Sequence, residues 1–291
     1  MDANPQLISN AHVHDLGDGF TVRRMLPVLQ ARHVGPFVFF DHMGPVQLPP
    51  GKGMDVRPHP HIGLSTLSWL FDGAIRHRDS LGSMVDIRPG EVNWMTSGHG
   101  IVHSERTPPA ERASGQKLHG IQVWVALPQA DAETESFFDH HGRDELPTIR
   151  RPGVEAILAA GTAYGERSPV KVFAPLFFLD VKLDAGAELE LPQEHFERGI
   201  HVVEGSVSWG GLDVAATQMA VQAGATAPPL RAREASRLIL FGGAPLDGER
   251  HLHWNFVASS LARIDQAKAD WREGRFPKVP GDELEFIPLP E

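Results

Sequence analysis

The chain has 291 residues, enough for two domains of roughly 150 residues each or for one large β architecture. Hydrophobic residues make up 41% and charged residues 22%, which favours a globular protein with a sizeable core over a disordered chain. A formal charge of −10 repels phosphate backbones and argues against a basic DNA-binding surface. We therefore predict no direct nucleic-acid contact.

The absence of cysteine excludes disulfides, thiolate nucleophiles and cysteine-bound zinc or iron–sulfur sites. Any bound metal must therefore use histidine and carboxylate ligands. The first twenty residues lack the basic and apolar regions of a secretory signal, and the apolar runs are far too short to span a membrane. We therefore expect a cytoplasmic protein without membrane contact.

Short β-rich runs, separated by turn residues, indicate strands rather than long helices. The 29 glycines and 24 prolines are scattered between these runs. In the first half the predicted strands lie at 36–42, 64–73, 92–98 and 121–128. After a polar, charged stretch at 128–152, such runs return at 170–183, 199–209 and 236–243. The predicted fold class is all-β, with the domain boundary near residue 150.

Two turns of similar spacing suggest that one β unit occurs twice. Each follows a strand and ends in an acidic residue and a glycine, at Leu70–Gly73 and at Val202–Gly205. A second glycine turn follows each of them at a similar distance, at Gly90 and Gly224. We therefore hypothesise that the chain forms two tandem β-barrels.

One amphipathic helix is predicted near the end of the chain, between Ser260 as the N-cap and Gly274 as the stop. Its apolar face would consist of Leu261, Ile264, Ala267 and Trp271. The remainder contains too many prolines for regular structure.

Three His-x-His pairs occur, although 16 histidines in a chain of this length produce such a pair about once by composition alone. For His12/His14 and His251/His253 we favour solvated or hydrogen-bonded side chains. The third pair, His59 and His61, lies in a strand-like segment. Residues two apart on a strand point to the same face, so both imidazoles can bind one ion.

His103 and Glu105 repeat the same spacing further along the chain. If their strand lies beside that of His59 and His61, four ligands converge. The alternative is that each pair forms the solvent-facing side of its own strand. Apolar neighbours argue against this alternative, because unpaired histidine and glutamate are costly in such surroundings; these neighbours are Leu64, Leu67, Trp69, Trp94, Ile101 and Val102.

The pattern Gly53, His59-x-His61, Gly73 resembles the first motif of the cupin superfamily, and Pro89-Gly90 followed by His103 resembles the second. Longer segments resemble the pirin family: RRMLP, VGPFVFFDHMGP, PHPHIGL, HRDSLG, PGEVNWMTSGHGIVHSE and GIQVWVALP. The C-terminal run from HWNFVASS to the end also resembles bacterial pirin-like proteins, so the resemblance covers nearly the whole chain.

This resemblance implies a bicupin, with a metal-binding jelly-roll barrel at 1–150 and a metal-free second barrel with the tail helix at 151–291. The implied ligands are His59, His61, His103 and Glu105, and the implied metal is Fe(II), with Mn, Ni, Cu and Zn also chemically suitable. The counterparts in the second repeat carry no such ligand set; they are Leu191, Gln193, Arg237 and Ile239. Pirins often have Arg and Glu where this chain has Ile62 and Ser65, which would alter the surroundings of the metal.

The implied activity is that of a quercetin 2,3-dioxygenase, which cleaves a flavonol with O₂. Glu105 would then act as the catalytic base as well as a ligand. Trp69, Trp94 and Met95 could contact an aromatic substrate, but packing in the core explains their presence equally well. His99 and His119 are further candidates for histidines that line the pocket. The alternative is a non-enzymatic regulatory protein whose metal controls the binding of a protein partner.

Overall fold

The computed structural model describes residues 4–8, 12–15 and 21–290. The strands up to residue 126 are β1 (Gln6–Ile8), β2 (His12–Asp15), β3 (Thr21–Leu26), β4 (Phe37–Leu48), β5 (Asp55–His61), β6 (Leu64–Asp72), β7 (Ile75–Asp79), β8 (Met84–Ile87), β9 (Val92–Thr96), β10 (Ile101–Arg106) and β11 (Gln116–Ala126). A short helix, α1 (Pro109–Ser114), lies between the last two.

The later strands are β12 (Phe137–His141), β13 (Thr148–Arg151), β14 (Val154–Ala163), β15 (Glu166–Arg167), β16 (Leu176–Leu183), β17 (Glu188–Leu189), β18 (Glu197–Glu204), β19 (Ser206–Trp209), β20 (Leu212–Ala215), β21 (Met219–Ala223), β22 (Leu230–Ala232), β23 (Ser236–Gly243), β24 (His251–His253) and β25 (Phe256–Ala258). Helix α2 (Leu261–Arg272) follows, and short 3₁₀ turns lie at Gln129–Asp131 and Arg143–Glu145. The prediction of an all-β fold is confirmed.

The chain divides into two compact units, each built from three separate segments. The front unit consists of Val13–Arg24, Phe40–His140 and Asp247–Glu291. The rear unit consists of Met1–His12, Met25–Phe39 and His141–Leu246. The tail helix α2 therefore belongs with the first half of the chain, and strand β1 with the second half.

The front unit contains the two sheets that position the candidate site. Within the described residues one sheet has the order β5-β10-β7-β8, and the other runs β12-β9-β6-β11-β4-β3-β2. Gly73 makes the turn after β6; its φ is +84°, and a Cβ there would lie 2.5 Å from the Lys117 carbonyl oxygen, so a larger residue would strain the turn. One apolar core cluster of this unit consists of Val22, Met43, Met54, Leu70, Ile75, Ile87 and Leu118.

The rear unit repeats the two-sheet architecture. Its larger sheet has the order β1-β21-β18-β23-β16-β14-β13, with β15 paired to β14, and its smaller sheet runs β17-β22-β19-β20 among the described residues. An extensive apolar core fills this unit, with Phe177, Leu179, Trp209 and Leu240 fully buried.

Helix α2 begins as predicted, because the Ser260 hydroxyl accepts a hydrogen bond from the Arg263 backbone N–H. Ile264 and Ala267 are buried against Ile62 and Phe256, but Leu261 is exposed, so the apolar face is narrower than predicted. No helix in the described part of the chain has the length and apolar character needed to cross a membrane.

The tail after α2 contacts strands β5 and β10. The Ile287 backbone N–H donates to the Pro58 carbonyl oxygen at 2.9 Å. The Arg106 guanidinium donates two hydrogen bonds of 2.8 Å to the Asp282 carboxylate and one of 2.9 Å to Glu285. Since Arg106 directly follows Glu105, this contact ties the tail to the strand that carries candidate ligands.

Asp282→Asn is expected to lower the free energy of unfolding by about 1–2 kcal/mol at neutral pH, because Arg106 loses a charged acceptor. Burial raises the pKa of Asp282, but the hydrogen bonds and the charge attraction of Arg106 and of other neighbours together outweigh burial and bring this pKa below its usual value. The stabilisation is therefore complete above the usual carboxyl pKa and is lost as the pH falls through the lower folded-state pKa.

Urea unfolding of the variant and the wild type, at neutral pH and in acid, measures this difference. Glu283→Gln removes the same charge from an exposed neighbouring position and serves as the control. A difference between Asp282→Asn and the wild type that stays constant into acid would contradict the assignment.

Candidate metal centre

Three histidines meet inside the front unit, on two paired strands. His59 and His61 lie on β5, and His103 lies directly opposite His59 in the antiparallel register of β5 with β10. One ligand nitrogen from each imidazole lies within 4.8 Å of the other two, and all three side chains are buried. This is the only such group of three or more metal-binding side chains in the described residues.

The hydrogen bonds of the three imidazoles leave nitrogens free to bind an ion. His59 Nδ1 lies 2.8 Å from the Arg57 carbonyl oxygen, so Nδ1 carries the hydrogen and Nε2 keeps its lone pair. His61 Nδ1 and His103 Nε2 are buried without a hydrogen-bond partner in the described structure. Because unpaired buried nitrogens are costly, the group fits a metal ion better than a packed polar core.

Electrostatics keep these imidazoles neutral, which is the form that binds a metal. Burial lowers the pKa of His59, and it lowers the pKa values of His61 and His103 well below the usual value for histidine. The neighbouring imidazoles add to the effect, since a positive charge on one disfavours a charge on the next.

Glu105 is also buried, but its carboxylate is held beside the histidine group rather than within it. A shift in strand register separates Glu105 from His103 on β10. The Gln122 amide on β11 donates to both carboxylate oxygens, at 2.8 and 2.9 Å, and the Ser68 hydroxyl on β6 donates at 3.3 Å. The assignment of Glu105 as the fourth ligand stays a prediction.

Several neighbours of the site were not predicted from the sequence. Gln122 and Ser68 hold Glu105, and the Trp124 ring packs edge-on against His61 at a centroid distance of 5.2 Å. Gln122 and Trp124 are two apart on β11 and therefore face the same side. Gln122 is the one amide side chain in the otherwise apolar run IQVWVALP, and this feature of the sequence could have identified it.

The other histidine candidates lie elsewhere. His99 is exposed and its Nδ1 donates to the Thr134 carbonyl oxygen at 3.1 Å. His119 is buried but pairs with His42 through their Nε2 atoms at 2.8 Å. His251 and His253 form strand β24, and the side chain of His12 lies outside the described residues.

Aromatic and polar residues near the motifs have structural contacts. Trp69, Trp94 and Met95 are fully buried, and Trp94 Nε1 donates to the Thr96 hydroxyl at 3.1 Å. Ser65, one of the two departures from the pirin pattern, bonds the same hydroxyl at 2.8 Å. Ile62, the other departure, packs in the apolar cluster beneath α2.

In the rear unit, the positions that correspond to the predicted metal ligands contact other groups of the protein. The Gln193 amide donates to the Leu191 carbonyl oxygen, and Arg237 forms an ion pair with Asp180. Ile239 is buried in strand β23.

Family models match both halves of the chain. The Pirin model matches residues 19–125, and the model of the pirin C-terminal cupin domain matches residues 178–277. Two crystal structures titled quercetin 2,3-dioxygenase, both from Acinetobacter baumannii, are similar to this chain. One has a TM-score of 0.90 and 33% identity over 99% of this chain and 95% of its own. The other has a TM-score of 0.87 and 27% identity over 98% and 100%, respectively.

The two cupin domains and the buried group of three histidines define a metal cupin with two domains, so the predicted bicupin fold is confirmed. A pirin-like protein of Caulobacter vibrioides is 49% identical over 98% of this chain and 99% of its own length. The chain belongs to the pirin family, as the motifs predicted.

Proposed function

We propose that the chain is a dioxygenase that cleaves a flavonol such as quercetin with O₂ at an iron centre held by His59, His61, His103 and Glu105. The observation that carries the proposal is the buried set of three histidine nitrogens beside a buried carboxylate. Similarity over nearly the whole chain to proteins titled quercetin 2,3-dioxygenase supports the substrate class.

Fe(II) suits three imidazoles and one carboxylate, as do Mn, Ni, Cu and Zn, and we propose iron because the family resemblance implies it. Held by four side chains, an ion that accepts six ligands would stay open to further ligands. When bound, the ion would polarise the flavonol oxygen and supply the redox chemistry of oxygen activation.

In the proposed reaction Glu105 is the residue that moves a proton. Its carboxylate would accept the proton of the flavonol 3-hydroxyl, which makes the ring electron-rich enough to react with O₂. Gln122 and Ser68 fix the direction of this carboxylate, because they donate to it from two neighbouring strands. The buried surroundings exclude water, which strengthens these interactions.

Oxygen uptake with quercetin tests the proposal directly. Metal-free protein is loaded with Fe(II) or with each alternative divalent metal, and O₂ consumption and CO release are followed together. We expect one CO per O₂ consumed, since the ring cleavage inserts both oxygen atoms and releases one carbon as CO. Absence of turnover with every metal would overturn the proposal.

A further inference from the structure

His77 and Asp79 form a buried pair beside the candidate metal centre. They lie two apart on β7, in the segment HRDSLG, and they face His103 and Glu105 in the antiparallel register of β7 with β10. Asp79 is fully buried and His77 is 3% exposed. The proposed reaction assigns no role to either of them.

The Asp79 carboxylate is surrounded by hydrogen-bond donors from the backbone and from His77. One carboxylate oxygen accepts hydrogen bonds from the backbone N–H groups of Leu81 and Ser83, at 2.9 and 3.0 Å. The carboxylate therefore offers acceptors only.

This acceptor determines where the hydrogens of the two neighbouring imidazoles lie. His77 Nε2 is 3.0 Å from the second Asp79 oxygen, so Nε2 must carry a hydrogen. The Nδ1 of a neutral His77 is then an acceptor, and it lies 3.4 Å from His103 Nδ1. The His77 ring is held in place by stacking on Phe138, with centroids 4.3 Å apart and ring planes 12° from parallel.

We propose that Asp79 and His77 form a relay that keeps the His103 hydrogen on Nδ1 and thereby presents the His103 Nε2 lone pair to the metal. His77 and Asp79 are positioning residues, since they act on the metal only through His103. The inference rests on the metal site of the proposed function, but not on the reaction catalysed there.

Asp79→Asn tests the relay because it keeps the size of the side chain and reverses one hydrogen bond. The amide oxygen continues to accept from Leu81 and Ser83, so the NH₂ group faces His77 Nε2. His77 must then carry its hydrogen on Nδ1, which places two N–H groups opposite each other unless His103 moves its hydrogen to Nε2. That tautomer blocks the lone pair that binds the metal.

Two measurements on the full-length protein follow from this mechanism. Zn(II) binding to metal-free protein, measured by competition with a chelating dye, is expected to weaken about 10- to 100-fold in Asp79→Asn. In metal-free protein labelled with ¹⁵N-histidine, NMR should show the His103 hydrogen on Nδ1 in the wild type and on Nε2 in the variant. The His103 signal is assigned by its absence in His103→Ala.

Asp86→Asn is the matched control, because it removes a carboxylate charge from the same hairpin but breaks only the ion pair with Arg76. It should leave Zn(II) affinity and the His103 tautomer unchanged. If Asp79→Asn fails to fold, His77→Phe retains a ring against Phe138, removes the acceptor of His103, and should weaken Zn(II) binding similarly.

Equal Zn(II) affinity in the wild type and the folded variant, or an unchanged His103 tautomer, would overturn the relay and leave the proposed reaction intact. Conversely, a wild type that binds Zn(II) and shows these shifts but does not turn over quercetin with any metal would overturn the reaction and support the relay. Failure of the wild type to bind Zn(II) would overturn the site on which both depend.

Discussion

His103→Ala is expected to weaken divalent-metal binding by more than about 100-fold and to abolish O₂ consumption with quercetin. Loss of a group next to a ligand already weakens metal binding about 10- to 100-fold, and here a ligand itself is lost. His103 lies between β5 and β7, and the adjacent His77 ring is held by Asp79 and by stacking on Phe138, so we expect no other histidine to take its place. Metal content per chain and metal affinity are measured on folded protein.

His251→Ala is the matched control for this experiment. His251 belongs to a second His-x-His pair in the same unit, and it lies on β24, apart from the buried group. We expect the metal content and turnover of His251→Ala to equal those of the wild type. Retention of one tightly bound metal per chain in His103→Ala would contradict the assigned site.

Glu105→Gln is expected to lower kcat by about 10²- to 10⁴-fold while most of the metal affinity is retained, because the three histidines still bind the ion and the general base is lost. The substitution keeps the size of the side chain. The new amide offers one acceptor oxygen to Gln122 and Ser68 in place of the two carboxylate oxygens. The orientation of the side chain is therefore partly preserved.

The comparison of metal affinity with kcat separates the two roles of Glu105. A loss of metal as large as that in His103→Ala would identify Glu105 chiefly as a ligand. An unchanged kcat would contradict the role as a base. Glu135→Gln, which removes the same charge from an exposed position, is the control and should leave both quantities unchanged.

Local sequence was sufficient to predict the histidines of the site. The spacing of two between His59 and His61 places both imidazoles on one face wherever the segment is extended. Strand β5 is extended there, and the structure brings His103 to the same place. Of the three His-x-His pairs, only His59/His61 lies within the motif that resembles cupins, and this distinguished it from the other two.

The histidines outside these motifs could not be assigned in the same way. His119 is buried, as a pocket histidine would be, but it contacts His42 from the neighbouring strand β4. His77 occurs in a segment that was identified only by its resemblance to pirins, and nothing in its local sequence indicates a contact with His103. Such contacts depend on which strands pair and in which register.

The sequence by itself determined the all-β class, the family and the side chains able to bind a metal, because alternation, turn residues and ligand spacing are local properties. Tertiary structure alone decided that His103 lies opposite His59, that Gln122 and Ser68 hold Glu105, and that Asp79 reaches His103 through His77. The physical reason is that strand register and burial arise from pairing between distant segments, and these two properties set the hydrogen bonds and protonation states that make a group of histidines a metal site.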